Sequence, residues 1–173
     1  MAWLLRLIRS QRRKGREYQP SFLPAQVLLS WFGALLAITL LGLISVTSHY
    51  PLVAAPLGAS SVLLFGHPES PLAQPRNLLL GNGSAAIVSV ACVAWFGTAP
   101  WVMGLAVALA IAAGQVLRCL HPPAGAVALL GVLLHAGPGY VLMPVLAGSV
   151  LLLLVALGMA WLVPGRSYPH HWI

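Results

Sequence analysis

The sequence predicts an all-α polytopic membrane protein, and three observations carry that prediction. Hydrophobic residues make up 60% of the 173, charged residues only 6%, and the mean hydropathy is +0.91. A soluble domain carries roughly 25% charged residues, because its surface must compete for water; this chain could not cover itself with polar groups. The apolar runs are also long and continuous, as in LLLLVALGMAWLV at 151–163. In lipid every backbone N–H and C=O must be bonded within the chain, which leaves helices and closed barrels. Barrel strands would alternate apolar and polar side chains, and these runs do not alternate.

Residues 1–23 form a basic N-terminal segment, expected on the cytoplasmic side. Arg6, Arg9, Arg12, Arg13, Lys14 and Arg16 hold six of the nine cations behind the formal net charge of +7. Spread over a soluble surface, that charge would suggest nucleic acid. Gathered before the first span, it reads as topology and attraction to membrane lipid headgroups, and no nucleic-acid partner is expected. Trp3, Leu4, Leu5, Leu7 and Ile8 lie among the arginines, so the segment is either an amphipathic helix on an anionic membrane face or a partly disordered basic tail. It does not read as a secretory signal: the apolar run that follows is too long and lacks a small-residue cleavage site.

The transmembrane domain is expected at 24–163. A span needs around 20 residues, at 1.5 Å rise each, to cross about 30 Å of hydrocarbon. Four segments meet this length, at 24–47, 78–97, 101–119 and 140–163. Two shorter ones, at 52–66 and 121–137, fall below it and are either re-entrant half-helices or short spans enclosed by protein. A short polar tail occupies 164–173. The expected architecture is thus four long helices and two short helices led by proline and glycine.

The short segments resemble each other. PLGASSVLL begins at Pro56 and PAGAVALLG at Pro123, 67 residues later. Each follows a long span and precedes a loop, a proline (Pro75, Pro144), a Gly-Ser pair (Gly83-Ser84, Gly148-Ser149) and another long span. We read two long–short–long repeats, at about 24–97 and about 101–163. If all six segments cross, Arg76, Arg118 and Arg166 fall on the side of the N-terminus; if the short ones re-enter, only Arg166 does. Positive residues concentrate on the cytoplasmic side, which favours six crossings and makes the repeats inverted.

Repeated short helices interrupted by Pro and Gly are the best sequence pointer to a transporter's site. Proline suits the first helical turn, where its missing N–H has no partner. Pro56 and Pro123 therefore mark helix N-termini, followed by Gly58 and Gly125, which allow another backbone or a ligand to approach closely. Such an end presents unpaired N–H groups and about half a positive charge, and it attracts anions. Arg118, His121 and Pro122 lead into the second short helix; Gln74, Pro75, Arg76 and Asn77 close the loop of the first unit. Arg76 and Arg118 are the only cations between the first and last spans, and each either serves an anion or snorkels to a headgroup. His121 either donates to an anion or caps the short helix. Ser60 and Ser61 either line a pore or pack between helices. Asn82 lies a few residues into a span and must find a partner.

Glu69 is the only acid beyond the N-terminal segment, and the chain has no aspartate. That scarcity argues against cation pathways, carboxylate proton relays, paired-carboxylate catalysis and a Ser-His-Asp set, so no enzyme is expected. There is no phosphate-binding glycine-rich loop with lysine, and hence no use of ATP by the chain itself. His49, His67, His135, His170 and His171 are scattered without metal-ligand spacing. Cys92 and Cys119 read as small buried side chains. No metal and no cofactor are expected.

LHPPAGAVALL at 120–130 carries the His-Pro-Pro motif of the HPP family of integral membrane proteins, and APLGASSVLLFGHPESPLAQPRN at 55–77 resembles the same family's Pro-x-Gly-Ala-Ser helix and Pro-Leu-Ala-Gln-Pro-Arg-Asn loop. The resemblance covers about 50–160. It implies a membrane bundle usually described with four spans, and a link to nitrite, which plastid and cyanobacterial members are associated with transporting. Carried over by position, its motif residues are His121, Pro122, Pro123 and Gly125, with Gln74, Pro75, Arg76 and Asn77. Some bacterial relatives carry C-terminal regulatory domains; none is expected within these residues. The resulting expectation is a transporter or channel for a small inorganic, nitrite-like anion, its site formed by the paired N-termini of the two short helices, in a bacterial plasma (inner) membrane, as a homo-oligomer. The alternative is a non-conducting structural or regulatory membrane subunit.

Overall fold

The computed structural model describes residues 3–4, 21–48, 55–163 and 166–172. The amphipathic helix expected within 1–19 lies outside them, apart from Trp3 and Leu4. Among the described residues six helices make up the bundle: α1 (Pro24–Ser48), α2 (Ala55–Gly66), α3 (Asn77–Phe96), α4 (Pro100–Val116), α5 (Pro122–Leu133) and α6 (Val141–Leu162). Helices α1, α4 and α5 begin on a proline, whose fixed φ and missing N–H suit the first turn.

Among the described residues three helices, against the expected four, are long enough by length and composition to cross a membrane: Pro24–Thr47, Asn77–Phe96 and Val141–Leu162. Helix α4 has 17 residues and stops short of the expected 119. Its end has a local cause. Arg118 takes a left-handed φ of 54°, and the Cys119 N–H turns back to the Gly114 carbonyl at 2.8 Å. A left-handed residue with such a long back-bond is the usual way a helix ends. Helix α5 ends alike, with His135 at φ 53° and the Ala136 N–H on the Gly131 carbonyl at 2.9 Å.

The connections place like with like. The Ser30 hydroxyl donates to the Phe65 carbonyl at 2.6 Å, which sets the start of α1 beside the end of α2. Asn77 Nδ2 donates to the Leu120 carbonyl at 2.7 Å, which sets the start of α3 beside the end of α4. The C-terminal tail returns to the same end: Tyr168 Oη donates to the Ala73 carbonyl and the His170 N–H to Gln74 Oε1, both at 2.9 Å. Successive helices therefore alternate in direction. Arg76, Arg118 and Arg166 all sit at the end where α1 begins.

Two apolar clusters hold the helices. One joins α1, α2 and α6 through Ala37, Leu41, Leu57, Leu64, Leu152 and Ala156. The other joins α3, α4 and α5 through Ala86, Val102, Ala106, Val127, Ala128 and Val132. Each short helix thus packs against the third helix of the other half of the chain. Small side chains dominate the second cluster, as expected where lipid supplies no hydrophobic drive and close packing must hold helices together. The outward faces stay apolar, with Trp31, Leu35 and Val46 on α1 and Leu154 on α6 exposed. These are lipid-facing surfaces. At the α3–α4 turn Trp95, Phe96 and Trp101 stack edge-on, with centroids 6.5 and 5.7 Å apart, an aromatic belt of the kind found at membrane interfaces.

Candidate functional site where the short helices cross

His121 is the N-cap of α5, in extended backbone, and Pro122 and Pro123 follow as the first two helical residues. Neither proline has an N–H, and the Ala124 N–H is bonded to the His121 carbonyl at 2.9 Å. The first three residues of α5 therefore offer no free backbone N–H, which cuts down the N–H nest expected for an anion there. Pro123 is buried and Pro122 is exposed.

The imidazole points inward instead. His121 is 2% exposed, and its Nδ1 lies 2.9 Å from the Leu72 carbonyl. A carbonyl can only accept, so Nδ1 carries the proton. Nε2, 2.9 Å from Ser60 Oγ, is then the acceptor of the neutral ring, with the hydroxyl donating. Ser60 meets Asn82 Nδ2 at a long 3.5 Å, and Asn82 Nδ2 donates to Ser149 Oγ at 3.0 Å. Ser60, Asn82 and Ser149 are fully buried. One polar chain therefore runs through α5, α2, α3 and α6, without a charged member. Asn82 Oδ1 is buried with no hydrogen-bond partner. Asn82 and Ser149 are separated by the same 67 residues as Pro56 and Pro123, so each short helix start is matched by one member of this pair.

Glycines let the helices close on this point. A Cβ on Gly81 would lie 2.7 Å from both the Cys119 carbonyl oxygen and His121 Cβ, so α3 can meet the start of α5 only because residue 81 has none. Gly148, 67 residues on, lies against the methyl end of the Leu57 side chain, where α6 packs on α2. The glycines expected to serve close approach meet no other backbone: nothing lies within 4 Å of a Cβ on Gly58, and Gly125 has only Val107 at 3.9 Å. The two short-helix starts are also not opposite each other. His121 lies beside Ser60, five residues into α2, so the ends stand about 7.5 Å apart along the axis.

The remaining expected residues are spent on backbone. Gln74, fully buried, donates to the Pro68 and Ser70 carbonyls at 3.0 and 2.9 Å. Arg76 Nη2 donates to the Leu117 carbonyl at 2.8 Å while its Nε is buried without a partner, and Asn77 donates to Leu120. Ser61 donates to the Gly58 carbonyl at 2.7 Å, within its own helix. Arg118 is exposed and supplies the left-handed turn. The structure thus joins His121 and Ser60 and adds Asn82 and Ser149. The repeat spacing already carried this signal, since the offset between Pro56 and Pro123 also relates Asn82 to Ser149. Matching the Gly-Ser pairs at 83 and 148 concealed it by two residues.

A family described as the HPP transmembrane region matches residues 19–169. Two transmembrane proteins of Dictyostelium discoideum are similar to the chain. One is 35% identical over 155 residues, which is 83% of this chain and 54% of that protein; the other is 37% identical over 155 residues, 83% and 50%. The chain spans about half the length of these relatives. No solved structure matches.

Proposed function

The chain belongs to the HPP transmembrane family, and from that premise we propose that it passes a small inorganic anion across the membrane, nitrite being the species its family resemblance implies. We place the step at His121, Ser60, Asn82 and Ser149, where the short helices cross. The observation that carries this reading is a buried, uncharged polar chain, His121, Ser60, Asn82 and Ser149, set between apolar helices, with the Asn82 amide oxygen left unpaired. An unpaired buried polar group costs about 1–3 kcal/mol, and a fold indifferent to polarity would have an apolar side chain there. The Ser149 hydroxyl, which accepts from Asn82, can turn its own hydrogen to an anion, while the Ser60 hydroxyl and the Asn82 amide reach one by exchanging their present bonds. Arg76, Arg118 and Arg166 at one end of the bundle supply an attractive field for its approach.

In this reading the chain is two inverted long–short–long units, related by an axis between Asn82 and Ser149. The third helices differ at their starts: α3 opens with a π-helical turn at Asn77–Gly81, whereas α6 is broken at Met143, whose backbone is extended, before Pro144. The N-terminus lies in the cytoplasm, in keeping with the positive end, and the membrane is the bacterial plasma membrane. The protein assembles as a homo-oligomer and catalyses no reaction.

A second reading has its own observation. Gln74 and Asn77 donate to backbone carbonyls, as Arg76 does through Nη2, and the first three residues of α5 have no free N–H, as would suit a structural or regulatory membrane subunit that conducts nothing. Nitrite uptake into proteoliposomes separates the two, with pH held constant because nitrous acid crosses lipid unaided. The transport reading expects uptake above empty liposomes, abolished by His121→Ala in protein shown to be folded. Uptake equal to empty liposomes, for nitrite and other small anions, would replace it with the non-conducting subunit.

A further inference from the structure

At the end of the bundle where α1 begins, a cleft of about 340 Å³ opens among Gln26, Ser30, His67, Glu69, Arg166 and Ser167. Its chemistry is unbalanced. Arg166 Nη2 reaches only the Phe65 carbonyl, at a long 3.5 Å, and that carbonyl already accepts from Ser30 at 2.6 Å. Arg166 Nε is buried with no partner. Glu69 lines the same cleft, but its side chain is exposed, and no charge interaction with Arg166 offsets the burial that lowers the guanidinium's pKa. A half-buried cation with an unspent N–H edge is suited to a phosphate, which accepts two N–H bonds from one side of the fork.

The cleft continues into a second depression. Phe22, Gly66 and His67 border both. The second, about 640 Å³, runs between the two short helices over Ala59, Val62, Leu63, Pro122, Pro123 and Ala126. It is apolar and open towards the surrounding lipid. A charged cleft at the membrane edge that runs into an apolar groove along the bundle matches the two parts of a phospholipid, head and chain.

We propose that cleft and groove together seat one anionic phospholipid, its phosphate on Arg166 and an acyl chain along the α2–α5 groove. The chain would cover Pro122 and the lipid side of the helix crossing, closing the groove beside His121. This site is separate from the polar chain of His121, Ser60, Asn82 and Ser149, and it stands whether or not the protein conducts anions.

The test uses the full chain in detergent, given phosphatidylglycerol or phosphatidylcholine with identical acyl chains, with bound lipid counted by native mass spectrometry. One phosphatidylglycerol should be retained with a preference of about tenfold: both lipids offer Arg166 a phosphate, but the choline cation of phosphatidylcholine opposes the guanidinium at close range. Arg166→Gln should remove that preference, while Arg118→Gln, which deletes the same charge at the same end, should keep it. Ala126→Trp fills the groove at an exposed position and should lower retention of both lipids; it decides the question if Arg166→Gln does not fold. Equal retention of the two lipids, a preference that survives Arg166→Gln, or Ala126→Trp without effect would each overturn the proposal. So would displacement of the lipid by excess inorganic phosphate, which would assign the cleft to the free ion.

Discussion

The carbonyl oxygen of Asn82 and the missing Cβ of Gly81 are neighbours in sequence and act together in space. Gly81 lets α3 close on the start of α5, and that closeness puts Asn82 within reach of Ser60 and Ser149. Gly81→Ala forces its new methyl against a backbone carbonyl and a Cβ, neither of which can swing aside. It should destabilise the protein by about 1–3 kcal/mol, the usual penalty for overpacking, read from the thermal unfolding midpoint in detergent. Gly58→Ala meets nothing within 4 Å; removing a helical glycine there should leave the midpoint unchanged or raise it, by about 0.5–1 kcal/mol. Equal losses for the two variants would contradict the packing described. At this scale the sequence was half legible. His121 and Ser60 stand out because polar groups beside Pro and Gly in apolar runs are conspicuous. Which glycine meets a backbone depends on helix rotation, and a single sequence with so little polar contrast around each helix does not encode that openly.

The short helices are shaped by what their prolines remove. Pro122 and Pro123 begin α5 readily because the N–H groups they lack would have had no helical partners, and for the same reason they strip the helix start of two donors an anion would use. The dipole remains with fewer hydrogen bonds beside it. Element order and approximate bounds were legible from apolar run lengths. The end of α4 was not, since an arginine in the left-handed region does a task usually marked by glycine. Direction of travel can be tested on a Cys92→Ala, Cys119→Ala background with single cysteines at Glu69, Thr98 and Ser167 and a membrane-impermeant maleimide. Alternating helices predict Glu69 and Ser167 on one face and Thr98 on the other. Glu69 labelled opposite Ser167, with Thr98 on the side of Ser167, would mean that the short helices re-enter and would overturn the alternation.

The whole molecule exchanges its third helices: α6 completes the cluster of α1 and α2, and α3 completes that of α4 and α5. The polar chain lies where these two bundles meet, with a member on each of four helices. This arrangement gives the proposed anion step two bodies that can move against each other around a fixed point, the usual logic of transporters built from inverted repeats. That membership and helical class were legible from composition and motif, whereas the meeting point was not, because it arises only from contacts between the two halves.

The most direct measurement is Asn82→Leu, read for both stability and nitrite uptake in proteoliposomes. Leucine fills a similar volume and removes the unpaired carbonyl, while Ser60 and Ser149 can turn their hydroxyls to their own helices. If Asn82 is retained for passage of an anion, the unfolding midpoint should hold or rise while uptake falls to the level of empty liposomes. Uptake that persists at the wild-type rate in a folded Asn82→Leu protein would contradict the assignment of the anion step to this crossing.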